Sequence, residues 1–177
     1  ARIGVVSIGS GAAVDAGYSV AIGDRAKVEG GGGGAGVAVG SRSDAYTNSV
    51  AIGCEATANT HSSTAVGFQS DANASAATAM GYQAHAGTAS VAVGHAADAS
   101  YSYGVAIGQA AKMKDLHGVA IGYEAEAYDS AVAVGLLAKT LGTNAIAIGG
   151  RVVAPTSGLV IGAAADNSIL SGQFNDT

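Results

Sequence analysis

The ten residues SVAIGDRAKV, from Ser19 to Val28, return with small changes along the whole chain. Close relatives are GVAVGSRSDA, SVAIGCEATA, SVAVGHAADA, GVAIGYEAEA and AIAIGGRVVA. The glycine of each unit stands at position 9, 23, 40, 53, 67, 81, 94, 108, 122, 135, 149 or 162, so most spacings are 13 or 14 residues. The one spacing of 17 contains the run from Gly30 to Gly34, which predicts a local loop. A period this regular is typical of a solenoid, in which each repeat stacks on the next.

Each repeat is predicted to hold two short strands. One and three residues before the glycine stand aliphatic or β-branched side chains, as at Val20 and Ile22, with a small residue between them. The second strand follows the glycine and alternates small residues with charged ones, as in Ala125–Ala127. Both patterns have the period of two that strands require. We expect the charges to be exposed and individually dispensable; they are Lys27, Asp44, Asp71, Asp98, Lys112, Glu126, Lys139 and Asp166.

These strands predict an all-β fold, a parallel solenoid of about twelve coils of 13–14 residues over residues 1–162. With about 4.8 Å between paired strands, the rod is about 55 Å long. Residues 163–177 are interpreted as a degenerate last coil or a transition to a following segment.

The two faces of the first strand differ sharply. We expect Val and Ile to point inward, because they bury the most apolar area. The opposite face holds only Gly, Ala, Ser and two Val, so we expect it to pack on another copy of the chain in a closed cyclic assembly. The candidate trimer-interface residues are Ala21, Ala38, Ala51, Ala65, Ala79, Ala92, Ala106, Ala120, Ala133 and Ala147.

Composition excludes several classes of partner. The 177 residues include 28 Gly and no Trp, which argues against a thick globular core. The net charge is −5 and the eight Lys and Arg are scattered, so no basic surface for nucleic acid is expected. No apolar run approaches the length of a membrane helix, so this segment is expected to make no direct membrane contact. We expect it to be a piece of a longer protein whose export signal and anchor lie elsewhere.

No motif for catalysis, a cofactor or a metal is found. Gly31, Gly33 and Gly36 formally satisfy G-x-G-x-x-G, but they lead into a strand rather than a phosphate-binding helix. The four histidines occupy different positions in their repeats, so stacking does not gather them: His61, His85, His95 and His117. Cys54 matches no thiol metal spacing. The expectation is a protein that is not an enzyme.

The position directly after the glycine carries aromatic or flat side chains in several repeats. Candidate ligand-contact residues are Phe68, Tyr82, His95 and Tyr123. The alternative is that they pack at a corner and seal the core.

Four repeats carry a family resemblance: NSVAIGCEA (Asn48–Ala56), YSVAIGDRA, YGVAIGQAA and HGVAIGYEA. They resemble the head repeat of the YadA-like trimeric autotransporter adhesins, and the resemblance runs from about Val5 to about Ile161. It implies a left-handed parallel β-roll with three chains around one axis, displayed on a Gram-negative cell and anchored in the outer membrane through parts outside this chain. It also implies a role in virulence, with extracellular matrix proteins such as collagen, or host cell surfaces, as partners.

The expected function is therefore an adhesive head module. No heptad stalk and no clear neck motif accompany the repeats, a departure from the family pattern. The alternative is a structural trimeric segment of a phage tail fibre or another virion fibre. A solenoid enzyme is a third possibility, which would require a pocket with converging polar groups.

Overall fold

The computed structural model describes residues 4–30 and 34–162 as a stack of β-coils. The predicted terminal segment 163–177, with Asp166, lies outside the described residues. The first strands of the coils are β1 (Val6–Ile8), β3 (Val20–Ile22), β5 (Val37–Val39), β7 (Val50–Ile52), β9 (Thr64–Val66), β11 (Thr78–Met80), β13 (Val91–Val93), β15 (Val105–Ile107), β17 (Val119–Ile121), β19 (Val132–Val134), β21 (Ile146–Ile148) and β23 (Leu159–Ile161). The second strands are β2 (Ala13–Val14), β4 (Lys27–Val28), β6 (Asp44–Ala45), β8 (Thr57–Ala58), β10 (Asp71–Ala72), β12 (His85–Ala86), β14 (Asp98–Ala99), β16 (Lys112–Met113), β18 (Glu126–Ala127), β20 (Lys139–Thr140) and β22 (Val153–Ala154).

The strands form two parallel sheets that run the length of the rod. Sheet A contains the 12 odd-numbered strands in chain order, and sheet B contains the 11 even-numbered strands. Equivalent residues stack directly on one another, so that Ala106 pairs with Ala120. The described residues thus complete about eleven turns, which confirms the predicted all-β parallel solenoid. Nowhere in the described part of the chain is there a helix that could span a membrane.

The repeated glycine is required for two separate reasons. Gly94 has a φ of +135°, a conformation that side chains other than glycine rarely adopt. A Cβ atom on Gly94 would also lie 2.6 Å from the carbonyl carbon of Gly108 in the next coil. Gly53 and Gly122 have the same φ, within a few degrees, and the same contact with the following glycine. This column of glycines therefore allows successive backbones to approach closely.

In most coils two further residues adopt the left-handed conformation. One lies five residues before the glycine, as at Asn48 (φ 60°), and the other lies two residues after it, as at Glu55 (φ 58°). The Glu55 amide donates a hydrogen bond of 2.8 Å to the carbonyl of Ser41, in the coil before. These corners therefore stack on one another through their backbones, as the strands do.

The predicted orientation of sheet A was wrong. Its alanines point into the space between the sheets, while Val and Ile point outward. All ten alanines proposed as trimer-interface residues have no exposed surface in the single chain: Ala21, Ala38, Ala51, Ala65, Ala79, Ala92, Ala106, Ala120, Ala133 and Ala147. They share two buried clusters with inward residues of sheet B, such as Ala99 and Ala127, and cannot contact a second chain.

The interior is too narrow for the larger side chains. The largest fully buried side chain, Met113, lies beside two glycines, Gly104 and Gly118, and a Cβ atom on Gly104 would collide with the Met113 sulfur. Val28 shows the same compensation, because a Cβ atom on Gly36 would lie 2.6 Å from its Cγ1. A full row of Val and Ile could not be accommodated here, which is the physical reason for the reversed orientation.

Replacement of Gly108 by Ala tests the glycine column. We expect a loss of at least about 3 kcal/mol of unfolding free energy, because the added methyl group meets the backbone of Gly122 in a conformation unfavourable for Ala. The control is Gly150→Ala, since a Cβ atom there meets nothing within 4 Å. Urea unfolding followed by circular dichroism measures both. Equal stabilities of the two variants would contradict the role assigned to the column.

Candidate functional site

The outer face of sheet A is a continuous apolar surface. Its members are the residues three and one before each glycine, and we name this surface the apolar stripe. It is aliphatic except for Met80, Thr64 and Thr78, and no charged residue belongs to it. Its side chains range from half-buried to exposed in the single chain, and 37% of Ile22 and 37% of Ile107 is accessible. An apolar surface of this length marks a site of contact with another molecule.

The residues directly after the glycines form what we name the exit column, at the corner where sheet A ends. Phe68 and Tyr82 stack with ring centroids 5.4 Å apart, and Tyr82 and His95 stack at 5.0 Å. All three side chains are exposed, so they do not seal the core. Tyr123 is also exposed but is separated from the stack by the coil that carries Gln109. A hydrogen bond with Glu124 raises the pKa of Tyr123 above its usual value. Sequence analysis thus located a real ladder, and the ligand-contact role of its residues stays a prediction.

A ladder of polar side chains runs beside the exit column, one residue further along each coil. The Gln83 amide donates to the Gln69 side-chain oxygen at 2.9 Å, and the Gln69 amide donates to Glu55 at 2.8 Å. Arg42 completes the ladder through an ion pair with Glu55. The hydrogen bond from Gln69 and then that from Arg42 lower the pKa of Glu55. The sequence gives no signal for this ladder, because its residue types vary.

The outer face of sheet B carries a column in which acidic side chains alternate with His or Lys. We name this set the charge column: Asp71, His85, Asp98, Lys112, Glu126 and Lys139. Lys112 lies 3.3 Å from Asp98, and Lys139 lies 3.5 Å from Glu126. These side chains are partly exposed, which confirms the predicted outward orientation of the charges. Neighbouring opposite charges stabilise adjacent strands modestly.

Two carboxylates of the charge column have opposite electrostatic environments. Burial raises the pKa of Asp71, and the nearby His85 offsets this only in part. One carboxylate oxygen of Asp71 is buried without a hydrogen-bond partner. Burial acts in the same direction on Asp98, but hydrogen bonds from Ser100 and Lys112 outweigh it, so the pKa of Asp98 lies below its usual value. The Ser100 hydroxyl donates to Asp98 at 2.6 Å.

The histidines are distributed along the rod. His61 meets the ring of Tyr46 edge-on, and His117 stacks on Tyr103 at 5.5 Å. His85 lies 3.6 Å from Asp71. Within residues 4–30 and 34–162, no group of three or more His, Cys, Asp or Glu side chains is arranged to hold a metal ion. Cys54 is a free, half-buried thiol in the exit column.

Comparison with known families adds an independent observation. Residues 6–26, 47–70 and 129–151 match the family described as YadA head domain repeat (2 copies). This chain carries a YadA-like head domain. The coils between the matched segments continue the same solenoid in register, as in the pairing of Val91 with Val105. No curated protein and no solved structure gives a significant match.

Similarity to the YadA head repeat suggests the head of a trimeric autotransporter adhesin and a location at the bacterial cell surface. The matched segments each contain complete first strands, and with them part of the apolar stripe. Part of the stripe therefore lies within the segments that match the YadA head repeat.

The opposite environments of the two carboxylates generate a prediction. Ionised Asp98 stabilises the fold above its unfolded pKa of about 3.9, and this contribution is lost as the pH falls through its lower folded pKa. We expect Asp98→Asn to be less stable than the parent protein at pH 7. Ionised Asp71 instead costs stability, because its folded pKa is raised, so Asp71→Asn should be more stable at pH 7.

Both differences should stay below about 1 kcal/mol, because the groups are partly exposed, and both should shrink below about pH 3.9. Urea unfolding at pH 7 and pH 3 measures them. Shifts of the same sign in both variants at pH 7 would contradict the assignment.

Proposed function

We propose that the chain is the adhesive head of a trimeric autotransporter adhesin and that three copies pack their apolar stripes around one axis. The head then binds host extracellular matrix proteins, such as collagen, or host cell surfaces through repeated contacts along the rod. The observation that carries the proposal is the apolar stripe, which runs the length of a chain that holds YadA head repeats.

A ring of three chains gives each stripe the cover that it lacks in the single chain. In a closed cyclic assembly the same surface of each copy faces the axis, so all three stripes are covered together. The stripe has no charge, and desolvation on assembly therefore leaves no unpaired ion. Left-handed winding of the coils, as the family implies, is part of the same proposal.

Packing around the stripes leaves sheet B facing outward. The charge column then lies on the outer surface of the trimer, repeated along the rod and around the axis. Many weak contacts on one rigid particle combine to give strong attachment. The proposed role needs neither catalysis nor a cofactor, and it places the head outside a bacterium whose outer membrane holds the anchor of the longer protein.

Ile107→Glu tests the assembly. The side chain lies in the apolar stripe, so three glutamates would meet near the axis and separate the chains, while each protomer keeps its coils. Val153→Glu is the matched control, because Val153 is exposed on the outer face of sheet B beside Lys139. We expect the parent protein and Val153→Glu to sediment as trimers and Ile107→Glu as a monomer with an unchanged β-sheet spectrum. A trimeric Ile107→Glu variant would contradict the packing.

Adhesion is tested on immobilised collagen and fibronectin by surface plasmon resonance. The trimer should bind at least about 100-fold more tightly than the Ile107→Glu monomer, because simultaneous contacts raise the apparent affinity. Val153→Glu controls for the added charge. An intact trimer that binds no matrix protein and no host cells, or a monomer that binds as tightly, would refute the adhesive function.

A further inference from the structure

The two ends of the sheet A strands carry side chains of complementary size. The exit column lies at one end, and at the other end lie the residues five before each glycine, which we name the entry column. In four coils a large exit residue accompanies a small entry residue, as in Phe68 with Ser62, Tyr82 with Ala76, His95 with Ala89, and Leu136 with Ser130, whereas His117 and Tyr123 are both large. The relation reverses in other coils, as in Asp24 with Tyr18 and Gly150 with Asn144.

This relation cannot arise from contacts within one chain. The two columns lie at opposite ends of the same strand, about 20 Å apart for six residues of extended chain. Inside the chain each column instead contacts itself, since Phe68 stacks on Tyr82 and Tyr103 stacks on His117. The side chains of both columns also remain exposed, including 45% of Tyr82 and 61% of Tyr103. Contact with a surface outside the chain would account for the size relation in the coils that show it.

A second copy supplies that surface. The strands of sheet A lie across the rod, so three such sheets facing one axis form the sides of a triangle. The exit end of one strand then meets the entry end of the neighbouring copy's strand, and cyclic symmetry holds equal coils at equal heights.

We propose that the exit column of each chain packs against the entry column of the next and forms an interchain seam. The proposal rests on the trimer proposed above and adds the residue pairs that form its corners. At the level of Tyr123 the entry residue is His117, itself stacked on Tyr103, so the seam there brings ring against ring.

The seam gives the stacked rings a different role from ligand contact. Phe68, Tyr82 and His95 already turn ring faces toward one another, with interplanar angles of 14° and 13°. Because the ring faces cover one another, a neighbouring chain would contact the ring edges. A neighbouring backbone that carries Ser62, Ala76 and Ala89 can approach these edges closely because its own side chains are small.

Disulfide trapping tests the seam. In a Cys54→Ser background, the pair His95→Cys with Ala89→Cys should link all three chains into a covalent trimer on mild oxidation, because each chain offers both halves. An intrachain disulfide is excluded, since its Cα atoms must lie within about 7 Å. The controls are His95→Cys alone and the pair His95→Cys with Ala76→Cys, which lies one coil away. Non-reducing electrophoresis should show the covalent trimer for the first pair and at most traces for the controls.

Alanine substitution is the second test. Tyr82→Ala should raise the trimer dissociation constant at least about tenfold, as loss of a buried aromatic contact does. Tyr101→Ala should leave it unchanged, because Tyr101 has the same 45% exposure but lies outside both columns. Sedimentation equilibrium measures both, with binding to collagen recorded in parallel.

The outcomes separate the seam from the trimer itself. A parent protein that sediments as a trimer while the His95 and Ala89 pair remains unlinked overturns the seam alone. A Tyr82→Ala variant that remains fully trimeric but loses adhesion also overturns it and assigns the exit column to ligand contact. A monomeric parent protein overturns the proposed assembly and the seam together.

Discussion

Direct contact between the backbones of stacked glycines determines the geometry of the rod. At Gly94 no side chain separates the strand end from the next coil, and a methyl group would meet the carbonyl group of Gly108. The next coil is therefore held at one height and in one register, and Val, Ala and Ile stack on their equivalents above and below. The two sheets and their corners follow from that register. A solenoid with larger residues in this column would need a different coil path.

Close stacking and a narrow interior together explain which residues lie outside. Alanine fills the space between the sheets, and Met113 fits only because Gly104 and Gly118 leave room for it. Alanine buries little area per residue, so a single chain gains less from its core than a chain with Val and Ile inside would. The apolar area of the first strands remains on the surface, where association can bury it. Folding and assembly thus depend on opposite faces of the same three-residue strands.

Much of the fold is readable from the sequence, because a fixed period and alternating residues report stacking and strand positions directly. The outward charges of sheet B, such as Lys112 and Glu126, were also predicted correctly. The orientation of sheet A was not, because neither face of that strand carries a charge and hydrophobicity alone favours Val and Ile inside. In the sequence, the glycines near Met113, Gly104 and Gly118, indicate that the space between the two sheets is narrow. The left-handed corner positions escaped notice because side chains as different as Asn48 and Leu137 occupy them.

The winding of the chain has a mechanical consequence. Each coil contributes about 4.8 Å to the length of the rod, yet its 13 or 14 residues span about 45 Å when pulled straight. When tension unwinds one coil from the end of the rod, the extended segment is therefore roughly nine times as long as the height that the coil occupied. The hydrogen bonds between coils lie along the direction of pull, so coils detach in sequence from the loaded end. Under load, a rod built in this way extends by discrete steps while the coils further along remain wound.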